Sequence, residues 1–207
     1  MKGLLWKDYY MMIKYCRMFL LFAVVFLGAA IMEPDNLFLL AYPVILLGMI
    51  PVNLLAYDER EKWDLYSAVL PYTRKQIVTV KYLIGMLINL SMFVLVMAVL
   101  VIQGMVNQSF HMTESLELGA LLLALGLLTP MVVLPFSFKW GTEKGRVVYI
   151  ICMAVACVGI FVLTSEGLLN PNIFQMKVSL LVLTAIMLVL YVISWQISIR
   201  FYEKKEL

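Results

Sequence analysis

Residues able to do chemistry are few in this chain, and their spacing does not suit them to it. His111 is the only histidine, and the three cysteines are Cys16, Cys152 and Cys157. A zinc site needs several His, Cys or carboxylate ligands at short spacing, and this set cannot supply them. The cysteines lie in or beside apolar runs and read as small apolar fillers, not as a disulfide framework. A Ser-His-Asp arrangement fails because His111 has no promising nucleophile beside it. The stretch Gly141-Thr-Glu-Lys-Gly145-Arg is glycine-rich and charged. It lacks the spacing and the Ser/Thr of a phosphate-binding loop, so it is expected to be a flexible turn. No catalytic residue, metal ligand or cofactor site is therefore expected, and any energy spent must come from another polypeptide.

The elements that would position these residues follow from composition. Of the 207 residues 64% are hydrophobic and 14% charged, where soluble domains average about 25% charged. A soluble fold of this size would be left with large apolar patches. The charges fall in clusters, and five gaps between them, 37–57, 82–106, 118–138, 147–163 and 178–199, carry no charge. Each gap approaches or exceeds the roughly 20 residues that cross a hydrocarbon core as a helix. A sixth segment reaches that length as 13–32, with Lys14 and Arg17 snorkelling to the interface. The expectation is an all-α integral membrane protein with six transmembrane helices in one domain, 1–207.

Lys and Arg set the orientation. All but Lys177 of the 16 basic residues fall before the first span, in the second and fourth connections with their flanks, or in the tail. By the positive-inside rule these segments and both termini are cytoplasmic. The net charge of +3 then reports topology and gives no reason to expect a nucleic-acid partner. The long aromatic stretch before the first span argues against a cleaved signal peptide, which opens on a short basic region. No span has a charge at its middle, which disfavours a proton-driven carrier.

Two cytoplasmic segments and a few residues within the spans are the informative part. Residues 1–17 place Leu5, Tyr9, Met12 and Cys16 on one stripe away from Lys7, Lys14 and Arg17, which predicts an interfacial helix; a ragged extension of the first span is the alternative. The segment 58–73 is dense in charge up to Asp64, then sets Trp63, Tyr66 and Leu70 on one helical face before Pro71. Thr73 and Gln76 match a capping box that starts the third span. This predicts a short amphipathic helix that either orders the loop or docks in a partner's groove. In the spans, Pro43, Pro51, Pro130 and Pro135 are candidate hinges or points of harmless curvature. Asn53, Asn89, Gln103, Thr129, Thr184 and Gln196 are expected mainly to bond neighbouring helices.

At these residues the chain resembles a permease subunit of the ABC-2 type, from the small bacterial group. The likeness rests on Asp58-Glu59-Arg60, Lys62-Trp63-Asp64, Leu70-Pro71, Arg74-Lys75-Gln76-Ile77-Val78 with Lys81-Tyr82, and the opening Met1-Lys2-Gly3-Leu4-Leu5 with Lys7-Asp8. It implies a homo- or heterodimer of such subunits in the bacterial cytoplasmic membrane, among its lipids. It also implies a separate ABC ATPase, which would use ATP and magnesium and bind at Glu59, Glu61, Lys62, Trp63, Asp64, Tyr66 and Leu70. In that family the last outer connection often re-enters the membrane, which here would be 164–177. The group includes exporters of phenol-soluble modulins and permeases that protect producers from their own antimicrobial peptides. The resemblance therefore implies a hydrophobic or amphipathic cargo, a peptide foremost. Asn53 and Tyr57 are the expected polar contacts on its path. The competing class is a non-transporting membrane protein, a sensor or assembly scaffold.

Overall fold

The computed structural model describes residues 2–33, 36–67, 71–106, 112–165 and 177–204. Among them every element is helical: α1 (Lys2–Tyr15), α2 (Arg17–Met32), α3 (Leu37–Gly48), α4 (Ile50–Arg60), α5 (Trp63–Ser67), α6 (Arg74–Val106), α7 (Met112–Trp140), α8 (Thr142–Ser165) and α9 (Lys177–Glu203). Among the described residues four stretches are long and apolar enough to cross a bilayer: α3 with α4, α6, Ser115–Trp140 of α7, and Val182–Glu203 of α9. The pair α1–α2, bent by 68°, makes a fifth if it is one broken span. The protein is thus a multi-pass helical membrane protein. The remaining predicted apolar run, 147–163, lies within α8.

Local sequence explains where helices begin and break. The stretch 13–32 is not one helix: Cys16 interrupts it at φ −103°, ψ 12°, so Lys14 belongs to α1 and Arg17 opens α2. Met49 divides the next span. Pro51 sits in the first turn of α4, where its missing N–H costs nothing. The capping box forms as read. The Gln76 backbone N–H donates to Thr73 Oγ1 and the Thr73 N–H to Gln76 Oε1, both at 3.3 Å. The glycine-rich stretch corrects the flexible-turn expectation. Only Gly141 leaves the helix, at φ 93°, and residues 142–146 are the first turn of α8. Gly145 is there because it packs against Ser137, whose Oγ and backbone would collide with any Cβ.

The core gathers around α7, which packs against α9, α8, α6 and α3. Between α3 and α7 the backbones meet at two glycines. A Cβ on Gly48 would lie 2.8 Å from the Gly126 carbonyl oxygen, and one on Gly126 would strike Asn89 of α6. Small residues at such crossings let membrane helices approach closely. Pro135 frees the Met131 carbonyl four residues back, and Ser194 of α9 donates to it at 2.7 Å. Each hydroxyl has one proton to give, which orders the rest of this chain. Tyr82 must donate to Ser194, and Ser198 to Tyr82, both at 2.7 Å. One side-chain relay therefore ties α6, α7 and α9 together. Gln103 donates to the Ala30 carbonyl at 2.6 Å and joins α6 to α2. Thr129 bonds Tyr149 at 3.2 Å and joins α7 to α8.

Candidate functional site

The charged segments converge at one end of the bundle. α1, the end of α4, the start of α6, the α7–α8 turn and the end of α9 all meet there. Arg74 in the first turn of α6 donates to the carbonyls of Tyr202 and Glu203, at 3.3 and 3.0 Å, occupying acceptors that the end of α9 leaves free.

At the centre of this end is a group of four charges, of which Asp8, Asp58 and Lys81 are buried and Lys7 is partly exposed. Lys81 Nζ lies 2.8 Å from Asp8 Oδ2 and 2.7 Å from Asp58 Oδ2. Lys7 Nζ donates to Asp58 Oδ1 at 2.6 Å and stands 3.5 Å from Asp8 Oδ1. Two ammonium groups and two carboxylates balance, which is what permits their burial. They come from α1, α4 and α6, so the quartet fastens α1 to the adjacent ends of two spans. Lys7 also stands 3.8 Å over the Trp63 ring, a cation–π contact reaching α5.

This geometry redistributes the residues expected to meet an ATPase. Glu59 is turned inward: its Oε2 accepts from the Thr142 N–H at 2.9 Å and from Thr142 Oγ1 at 2.6 Å. It therefore caps the positive end of α8. Trp63 is half-buried beneath Lys7. Glu61, Lys62 and Tyr66 are exposed, so Trp63 and Tyr66 do not share one open face. Lys62 has φ 53°, a left-handed residue ending α4. Leu70 lies outside the described residues, as do the Asp64 side chain and 166–176 of the outer segment.

Asn53 and Tyr57 both line an open cleft of about 800 Å³ between α2, α4 and the α7–α8 turn, with Phe19, Arg60, Trp140, Lys144 and Arg146. Asn53 Oδ1 accepts from Arg146 Nη2 at 2.8 Å. Tyr57 stacks on Tyr15 with centroids 4.5 Å apart. Of the prolines, Pro51 stands at the Met49 interruption, while Pro43, Pro130 and Pro135 lie inside α3 and α7. A family description, ABC-2 family transporter protein, matches residues 3–203. The chain belongs to this ABC-2 family. No curated protein and no solved structure matches it.

Members of this family are transmembrane, non-catalytic transport subunits that normally work with an ABC ATPase. Within an ABC-2 subunit, the end bearing α5 is the region of interest, and the quartet is its main unforeseen feature. Lys81 reads as a flanking charge of the third span and Asp8 as part of an interfacial helix. Nothing in their spacing announces a contact across 73 residues. The available signal was weaker: one acidic residue within α1, one in the last turn of α4 and one basic residue two turns into α6, at a membrane end where unpaired charge is costly.

Proposed function

We propose that this chain is the transmembrane subunit of a bacterial ABC exporter, working as a dimer with a separate ATPase in the cytoplasmic membrane. Six spans, with α1, α5 and the end of α9 on the cytoplasmic side, complete the reading. The observation that carries it is α5. This short helix stands between two spans, with Glu61, Lys62 and Tyr66 turned outward beside it. On its other side Trp63 rests on Lys7, so a push on α5 reaches α1, α4 and α6 through the quartet. Such a helix suits a groove in a partner.

The cargo in this reading is hydrophobic or amphipathic, with a peptide as the leading class. It enters sideways beside α1, whose Tyr15 stacks on Tyr57, at the cleft between α2, α4 and the α7–α8 turn that Asn53 and Tyr57 line. The spans support this with apolar surfaces rich in Met and aromatic side chains, which accommodate varied partners. The test is co-purification of the chain with an ABC ATPase, then turnover measured against amphipathic peptides, lipids, drugs, sugars and metal ions. Stimulation by amphipathic peptides is expected. Stimulation by a sugar or a metal ion and not by peptides would overturn the cargo assignment. Transport under a proton gradient without ATP would overturn the exporter.

A further inference from the structure

The cleft holds more positive charge than the fold uses. Arg60, Lys144 and Arg146 line it, and among the described residues none of the three is ion-paired with a carboxylate. Arg146 spends one guanidinium nitrogen on Asn53 and keeps the others. Two carboxylates also line the cleft. Glu59 is committed to the N-terminus of α8, so that helix end is already neutralised and contributes nothing further. Glu143 is exposed in the first turn of α8. Aromatic rings from three helices complete the wall: Phe19 of α2, Tyr57 of α4 and Trp140 of α7. Trp140 is 48% exposed.

From this arrangement we propose that the cleft binds the phosphate of an anionic phospholipid from the inner leaflet. Arg60, Lys144 and Arg146 receive the phosphate, and Trp140, Phe19 and Tyr57 flank the glycerol backbone. The inference rests on the proposed placement of this end at the cytoplasmic face. Three cations in one recess with no carboxylate partner among the described residues call for an anion, and guanidinium groups match a phosphate by paired donors. The aromatic wall decides for a lipid over a free anion, because Trp and Tyr settle at headgroup depth. Basic pockets between spans on the cytoplasmic side suit anionic headgroups. The volume of about 800 Å³ lies within the range of about 300–1,000 Å³ common for ligand sites, well beyond the needs of bare phosphate.

The experiment uses the purified full chain in neutral detergent, without ATPase or cargo, so its failure leaves the exporter reading untouched. Thermal unfolding is followed while phosphatidylglycerol, phosphatidylcholine, inorganic phosphate or an acidic amphipathic peptide is titrated in. Phosphatidylglycerol alone is expected to raise the midpoint saturably. Lys144→Gln with Arg146→Gln should weaken that binding about tenfold or more. Arg60→Gln, whose side chain is exposed, should weaken it less but measurably, and stands in if the double variant folds poorly. Lys75→Gln with Arg200→Gln, which removes equal charge at exposed positions outside the cleft, should bind as the parent does. Equal binding of phosphatidylcholine, or equal loss in the Lys75/Arg200 control, would overturn the proposal. Protection by inorganic phosphate would reassign the cleft to a free anion, and protection by the peptide alone would assign its cations to the cargo.

Discussion

At Lys81 two carboxylates from different helices approach one ammonium that is only 2% exposed. Removing one member of such a group strands the others, at a cost of about 3–5 kcal/mol, whereas replacing opposite charges together by apolar groups is far milder. Lys81→Met is therefore expected to lower the unfolding midpoint sharply in detergent. Adding Asp58→Leu should recover part of the loss, because Lys7 and Asp8 remain 3.5 Å apart. No recovery in the double variant would mean that packing, not charge, is what Lys81 supplies. The aromatic pair of the 58–73 segment separates at this scale too. Tyr66→Ala should leave folding intact and cut ATPase stimulation about tenfold or more, as exposed aromatic anchors do at interfaces. Trp63→Ala should also destabilise the chain, since its ring carries Lys7. If Tyr66→Ala leaves ATPase binding unchanged, α5 only orders its connection. The Thr73–Gln76 cap was readable because both partners lie within four residues. The quartet and the Glu59–Thr142 bond were not, because their partners are distant in sequence and a charge beside a span looks the same whether paired or solvated.

Helix positions were legible from charge gaps, and their interruptions only in part. A gap shows where lipid is tolerated, while a break depends on how the chain must turn to satisfy its ends. Hence 13–32 reads as one span but divides at Cys16, and 141–146 reads as a turn but yields a single non-helical glycine. The prolines show the same limit. Nothing beside Pro135 reveals that its freed carbonyl is bonded by Ser194 from 63 residues away. That bond holds α7 against α9 beside the proline, so Ser194→Ala is expected to cost about 0.6–2 kcal/mol, measured as resistance to denaturant in detergent. A variant as stable as the parent would mean that the Tyr82–Ser198 portion of the relay suffices alone. Gly126→Ala is the sterner test of helix crossing. Its Cβ would strike Asn89 and approach Val44 to 2.8 Å, an overpacking worth about 1–3 kcal/mol. Gly126→Ala with Asn89→Ala should be the more stable of the two variants, and the reverse order would show that the α3 contact dominates.

For the whole molecule, the clustering of charge foretold a membrane fold with its basic segments together, and the contacts among α1, α4, α6, α8 and α9 bring those segments to one end. Which leaflet that end meets is a matter for labelling. Tags at positions 109 and 172 should both react from outside intact cells, and reaction of only one would remove the six-span layout. The quartet also constrains the order in which the protein can be made. Asp8 and Lys7 leave the ribosome 50 and 51 residues ahead of Asp58, and further still ahead of Lys81. Until Lys81 emerges in α6, the quartet lacks one of its two ammonium groups and α1 lacks its contacts with the third span. Nascent chains arrested before residue 81 should therefore keep α1 open to protease, and chains arrested after α6 should protect it. The first helix synthesised would be among the last to find its place, with the third span as the part that closes the lock.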